Sequence, residues 1–89
     1  MKPQEEIVYR EIGKRIRDAR KKKRITQSDL RKEVDIARAT IANIELGRQS
    51  VSVYHLVLIA IALDCNISDI VGDDLPKKIK TMRQKISSF

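Results

Sequence analysis

Few side chains in this 89-residue chain are of the types that perform catalysis or hold a metal. There is one histidine, His55, and one cysteine, Cys65, so an internal disulfide and a four-ligand zinc site built from these residues are both excluded. The sequence shows no histidine–carboxylate–nucleophile set, no glycine-rich phosphate loop and no metal motif. We therefore expect no enzyme, no cofactor, no metal and no small-molecule substrate.

Basic and amide side chains between residues 26 and 49 offer a different chemistry, which is hydrogen bonding to nucleic acid. A guanidinium such as that of Arg38 can bond guanine O6 and N7 together, and an amide such as that of Asn43 can pair with adenine N6 and N7. Taken alone, both could equally be solvated polar residues on an amphipathic helix. The secondary structure around Arg38 and Asn43 is needed to choose between these two interpretations.

The charge of the chain favours a polyanionic partner. The net charge is +7, and the sequence pI is near 9.9. Residues 1–48 hold 14 basic and 8 acidic side chains, residues 49–74 hold four aspartates and no Lys or Arg, and residues 75–89 hold five basic side chains and no acid. Charge alone does not separate nucleic acid from an anionic membrane surface, and the run 21–24 also suits a solvated helix end.

Targeting signals and spans are not recognisable in the sequence. The first residues do not form a signal peptide, and the longest apolar run, 56–63, is far below the roughly 20 residues that cross a bilayer. We therefore expect a cytoplasmic protein without a membrane partner.

Helical periodicity and an aromatic content of only 3% predict an all-α chain. The first three helices are expected at 3–23, 27–34 and 38–46. Thr26 and Asp29 have the spacing of a capping box, and Gly47 can supply the left-handed residue that ends the third helix. The fourth helix should begin after Ser52, the fifth should run from Asn66 to near Gly72, and a sixth should start at Pro76.

The second and third helices, joined by the short turn 35–37, have the arrangement of a helix-turn-helix. Around them runs a longer pattern, made of Ile12, Gly13, Ile16, Arg17, Arg20, Thr26, Gln27, Leu30, the run 36–47, Leu56, Ile59, Ala60 and Leu63. This pattern closely resembles the Xre/Cro-type, lambda-repressor-like DNA-binding domain over about residues 10–72. The resemblance implies a five-helix DNA-binding domain at 1–74 with its helix-turn-helix at 26–47. Residues 75–89 are then a basic amphipathic extension, predicted to be helical.

The resemblance also implies roles for individual residues. The third helix is the recognition helix, and its expected base contacts are Arg38, Ala39, Ala42 and Asn43. The expected phosphate contacts are Gln27, Thr40, Arg48, Gln49, Lys14, Lys23 and Arg24. Arg20 and Glu45 are expected to form a partly buried ion pair that orients the recognition helix without touching DNA.

Three residues depart from the pattern of the family. Arg31 replaces a small residue, so its stem must reach out to solvent. Asp35 replaces a turn glycine, and Ala37 replaces the Ser or Thr that normally caps the recognition helix.

The fourth helix is apolar on two sides. We expect its core face to use Val53, Leu56, Ile59, Ala60 and Leu63, which leaves a second stripe of Tyr54, Leu58, Ile61 and Cys65. A second subunit could cover that stripe. The tail stripe could also fold back on it, swap between subunits, dock on another protein or stay frayed; it comprises Ile79, Met82, Ile86 and Phe89. Cys65 is interpreted as part of the apolar surface rather than as a redox switch.

These observations predict a sequence-specific regulator of transcription. In the family that the chain resembles, the usual form is a repressor that binds an inverted-repeat operator in double-stranded DNA as a homodimer. The alternative is an antitoxin-like or other protein-interaction module, whose partner docks on the fourth helix or the tail and whose DNA binding serves autoregulation.

Overall fold

A computed structural model describes residues 1–72 and 74–87, without the side chains at 76, 78, 82 and 85–87. These residues form six helices and no strand, so the all-α prediction is confirmed. Each boundary that was predicted above lies within one residue of its observed position. The helices are α1 (Pro3–Lys22), α2 (Gln27–Val34), α3 (Arg38–Glu45), α4 (Val53–Ala62), α5 (Ile67–Val71) and α6 (Leu75–Ser87).

Local hydrogen bonds fix both ends of α2. The Thr26 hydroxyl accepts from the Asp29 N–H at 3.0 Å, and the Asp29 carboxylate accepts from the Thr26 N–H at 2.9 Å. The bond from the Thr26 N–H, followed by a contribution from the Thr26 side chain, lowers the pKa of the Asp29 carboxyl. At the other end, Asp35 takes the left-handed conformation with φ 52°, as the turn requires. Arg31 is exposed, so its side chain leaves the α2 packing face for solvent.

The termini of α3 differ from each other. Ala37 precedes the helix without a side-chain cap, whereas Gly47 follows it with φ +72°. A residue with a Cβ would be strained in that conformation, so glycine suits this turn.

The core is almost entirely aliphatic and draws on every helix that the domain prediction includes. Its side chains come from Ile12, Ile16, Leu30, Val34, Ile36, Ile41, Ile44, Leu56, Ile59, Ala60, Ala62, Leu63 and Ile70, with Leu75 added from α6.

The prediction for the core face of α4 was wrong at one position. Val53 is 76% exposed, because the buried stripe starts one turn later, at Leu56, and the first turn of α4 projects beyond the core. Leu58 and Cys65, assigned to the outer stripe, are half-buried and pack against the core. Only Tyr54 and Ile61 of that stripe are largely exposed.

A close backbone approach sets the position of α3 against α1. A Cβ on Gly13 would overlap the carbonyl oxygen of Ile44 and lie 2.8 Å from that of Glu45. Glycine therefore lets the two helices pack at a distance that no other residue permits.

Gly13→Ala should lower the free energy of unfolding by about 1–3 kcal/mol, because the added methyl group must push α3 away from α1. At a helix position without such a contact, the same change raises stability by about 0.5–1 kcal/mol, so the sign is informative. Urea denaturation followed by circular dichroism measures the effect. Lys14→Ala, at the exposed neighbouring position, is the control and should be nearly neutral. A Gly13→Ala variant as stable as the parent would contradict the close approach.

Candidate nucleic-acid interface

A bidentate ion pair, with two hydrogen bonds, joins α1 to the end of α3. Arg20 Nε donates to Glu45 Oε2 at 2.7 Å, and Arg20 Nη2 donates to Glu45 Oε1 at 2.9 Å. The third nitrogen, Nη1, donates to the carbonyl of Ile25 at 2.9 Å. The Glu45 side chain is 2% exposed, and its hydrogen bond and charge raise the pKa of the Arg20 guanidinium. This geometry matches the pair expected from the sequence.

Glu45 has a further partner that the sequence did not reveal. Gln27 Nε2 donates to Glu45 Oε1 at 3.2 Å, so one carboxylate holds the start of α2 as well as α1. Nothing in the spacing of residues 27 and 45 signals this contact, because it depends on how α2 and α3 cross.

The two long faces of α3 have opposite character. Ile41 and Ile44 are buried in the core. On the outer face, Arg38 and Ala39 are exposed, while Thr40, Ala42 and Asn43 are half-buried and still reach solvent. Arg48 and Gln49 are exposed in the loop after Gly47. The structure therefore brings the expected base-contacting side chains to one surface, and their contact with bases stays a prediction.

A polar cleft of about 600 Å³ opens at the start of α2, next to the recognition helix. It is lined by Arg20, Arg24, Ile25, Thr26, Gln27, Ser28 and Arg38. Backbone N–H groups at a helix start favour an anion, and Arg24 and Arg38 lie beside this one, whereas the guanidinium of Arg20 is bonded to Glu45 and Ile25. Gln27 and Arg24, both expected to contact phosphate, thus lie beside Arg38.

Lys23 lies elsewhere. Its ammonium group donates to the carbonyl of Ala62 and is 3.0 Å from the carboxylate of Asp64, so it joins the end of α1 to the end of α4. The sequence prediction grouped Lys23 with Arg24, but Lys23 bonds the end of α4, whereas Arg24 lines the cleft at the start of α2.

A second cleft of about 240 Å³ lies between α1 and the C-terminal end of α3. Among its lining residues are Arg17, Lys21, Ala42 and Leu46. The sequence prediction assigned no DNA contact to Arg17 or Leu46. A signal for Arg17 was present, because Arg10, Lys14, Arg17 and Lys21 follow each other at helical spacing.

Other chemistry finds little support in the described part of the chain. No group of three or more His, Cys, Asp and Glu side chains there is placed to hold a metal ion. None of the described helices is long and apolar enough to cross a membrane. Burial, followed by the charges of Asp69 and Asp64, raises the pKa of the Cys65 thiol, which disfavours the reactive thiolate.

Comparison with known proteins finds the same arrangement elsewhere. The sequence model of the helix-turn-helix family matches residues 16–70. The immunity repressor protein of Bacillus phage phi105 is 35% identical over 63 residues, which are 71% of this chain but only 44% of the phage protein. Among solved structures, the restriction-modification controller protein C.AhdI from Aeromonas hydrophila has a TM-score of 0.67 and 26% identity. That match covers 70% of this chain and 94% of the controller protein.

Arg20→Met should cost about 3–5 kcal/mol of unfolding free energy, because Glu45 would keep a buried charge without its main partner. The double variant Arg20→Met with Glu45→Leu should lose less than either single variant. Arg15→Met is the matched control. Its ion pair with Asp74 has the same 2.7 Å separation, but the Asp74 side chain is 48% exposed, so we expect a loss of about 1 kcal/mol or less. Chemical denaturation measures the parent and the four variants, including Glu45→Leu alone, and equal losses for Arg20→Met and Arg15→Met would contradict the buried role.

Proposed function

The chain belongs to the helix-turn-helix family, in its Xre/Cro, lambda-repressor-like branch, and from this premise we propose that it is a transcriptional repressor that binds an inverted-repeat operator in double-stranded DNA as a homodimer. The observation that carries the proposal is the exposed outer face of α3, held against α1 by the Arg20–Glu45 pair. Repression would follow from occupation of promoter DNA in the cytoplasm, at the nucleoid.

Base readout would come from the outer face of α3 in the major groove. Arg38 has the donors for guanine O6 and N7, and Asn43 has the donor and acceptor for adenine N6 and N7. Ala39 and Ala42 present methyl groups that can contact thymine methyls. Each bidentate pair discriminates against a wrong base by about 1–3 kcal/mol, which is enough to define a motif.

Phosphate contacts would flank this face. Gln27 and the N–H groups at the start of α2 would hold one backbone position, and Arg24 would add charge beside them. Arg48 and Gln49 would reach the backbone from the loop after α3, and Thr40 from the edge of the helix. The exposed Lys14 would strengthen the attraction, whereas Lys23 could do so only by leaving Asp64.

Dimerisation would provide the second half-site. One small module reads few base pairs, so helix-turn-helix proteins commonly pair on half-sites about one helical turn apart. The outer face of α4 supports this, since Tyr54 and Ile61 are 68% and 67% exposed, and Val53 and Val57 extend the same apolar surface. Residues 49–74 carry no Lys or Arg, which suits a side turned away from DNA.

The alternative in which the C-terminal tail packs on the exposed face of α4 has less support. The helix α6 packs against α1, with Leu75 in the core and Ile79 half-buried. Phe89 and the side chains of Met82 and Ile86 lie outside the described residues, so their part in the proposed stripe stays a prediction. The exposed face of α4 would also suit the alternative, in which a different protein docks there and DNA binding serves autoregulation.

Selection of bound sequences from random duplex DNA should yield a two-fold symmetric motif. Arg38→Ala and Asn43→Ala should each relax the preference at one symmetric pair of positions, with a loss of roughly 5- to 150-fold for each half-site. Wild-type preference in both variants would exclude direct readout by these residues, and the absence of any motif would exclude sequence-specific binding.

Tyr54→Glu with Ile61→Glu should convert a dimer to a monomer in analytical ultracentrifugation, because two carboxylates would be buried in the seam. Both side chains are exposed in the single chain, so the fold should survive. Leu46→Glu is the control: Leu46 is also an exposed apolar residue, but it lies at the end of α3. A folded dimer with both glutamates present would place the seam elsewhere, and a stoichiometric complex with another protein on this face would favour the interaction-module alternative.

A further inference from the structure

Five basic residues follow one line along the first helix and the turn after it. The first four stand at 4-3-4 spacing, which keeps them on one face of α1, and Arg24 follows in the turn after the helix ends. All five are exposed, and none forms an ion pair within the residues that the structure describes. We call this set the basic stripe; it consists of Arg10, Lys14, Arg17, Lys21 and Arg24.

The basic stripe runs beside the recognition helix along its length. At one end, the backbone of Arg10 lies against Gly47, just after α3. In the middle, Arg17 and Lys21 line the cleft that also includes Ala42 and Leu46. At the other end, Arg24 lines the cleft that includes Arg38. A duplex that contacts Arg38, Ala42 and Asn43 therefore passes directly next to the stripe.

The two arginines of α1 that do not belong to the stripe have structural partners. Arg15 pairs with Asp74 at 2.7 Å, and Arg20 pairs with the buried Glu45. The residues of the basic stripe differ from both, because no described ion pair includes them, and their cationic groups are available to a ligand.

The dimensions suit one strand of DNA. From residue 10 to residue 21 the helix rises about 16 Å, and neighbouring members of such a line are about 5–6 Å apart at Cβ. A DNA strand carries one phosphate for each 3.4 Å of helix axis, so the same length offers several phosphates. Long, flexible Lys and Arg side chains can adjust to that spacing.

We propose that the basic stripe holds the phosphate backbone along the C-terminal half of α3, with Arg17 and Lys21 as its central contacts. This proposal rests on the proposed function and deepens it. It adds Arg10, Arg17 and Lys21 to the backbone contacts proposed above for Lys14 and Arg24. Since phosphate contacts carry no base information, the stripe would set affinity and register and leave sequence preference to α3.

The test is the salt dependence of binding to the selected operator duplex. Replacement of both Arg17 and Lys21 by Gln removes two contacts from each protomer of the bound homodimer, so the slope of log affinity against log salt concentration should become less steep by about 3.6. Between 50 and 200 mM salt, the parent dimer should therefore lose about 150-fold more affinity than the variant does. The selected motif should remain the same.

Two further variants control for net charge and for side-chain shape. Lys22→Gln with Lys77→Gln removes the same charge from exposed positions off the stripe and should leave the slope unchanged. Arg17→Lys with Lys21→Arg keeps both charges and should also retain the parental slope.

The outcomes separate this proposal from the function on which it rests. If the parent selects no motif, the proposed function fails. If the parent binds its operator but the Arg17 and Lys21 double variant keeps the parental slope, the basic stripe is not a backbone contact. The same conclusion follows if the off-stripe control changes the slope as much as the stripe variant does.

Discussion

A buried carboxylate determines how the reading surface of this domain is held. Glu45 has almost no contact with solvent, so its charge must be satisfied from within the protein, and the available partners lie on other helices. Arg20 supplies two donors from α1, and Gln27 supplies one from the start of α2. Because Glu45 is the last residue of α3, these bonds fix the end of the recognition helix relative to both neighbours. Gly13 complements them by letting the backbones of α1 and α3 approach closely.

The first helix combines three roles around its circumference. Ile12 and Ile16 contribute to the core, and Arg20 reaches the recognition helix. Arg15 reaches Asp74 and so anchors the segment that leads into α6. The remaining face carries the basic stripe. A single helix thereby stabilises the fold and, in the proposed complex, presents positive charge to the duplex.

Local chemistry explains why so much of the fold was predictable. The Thr26–Asp29 capping box, Ser52, Asn66 and Gly47 mark helix ends through bonds to residues a few positions away, and these signals are visible in the sequence. The ion pair of Arg20 with Glu45 followed from the family resemblance. Features that depend on how the helices pack against each other were not predicted from the sequence. Val53 projects beyond the core, and Gln27 of α2 bonds Glu45 of α3. Lys23 likewise bonds the end of α4, a contact that depends on how α1 and α4 lie against each other.

The uncapped start of α3 affects how the reading surface fluctuates. The first turns of α2 and α4 are held by Thr26 and Ser52, whereas Ala37 provides no such bond, at a typical cost of about 1 kcal/mol. Local opening is favoured where stability is lowest, so we expect the turn that carries Arg38 to open more readily than the end anchored by Glu45. We therefore expect local stability to differ between the two ends of the recognition helix, with the end at Glu45 more rigid than the turn at Arg38. A ligand that orders Arg38 must offset the conformational entropy that the first turn of α3 loses on binding. We expect a smaller loss around Asn43, which lies closer to the end anchored by Glu45.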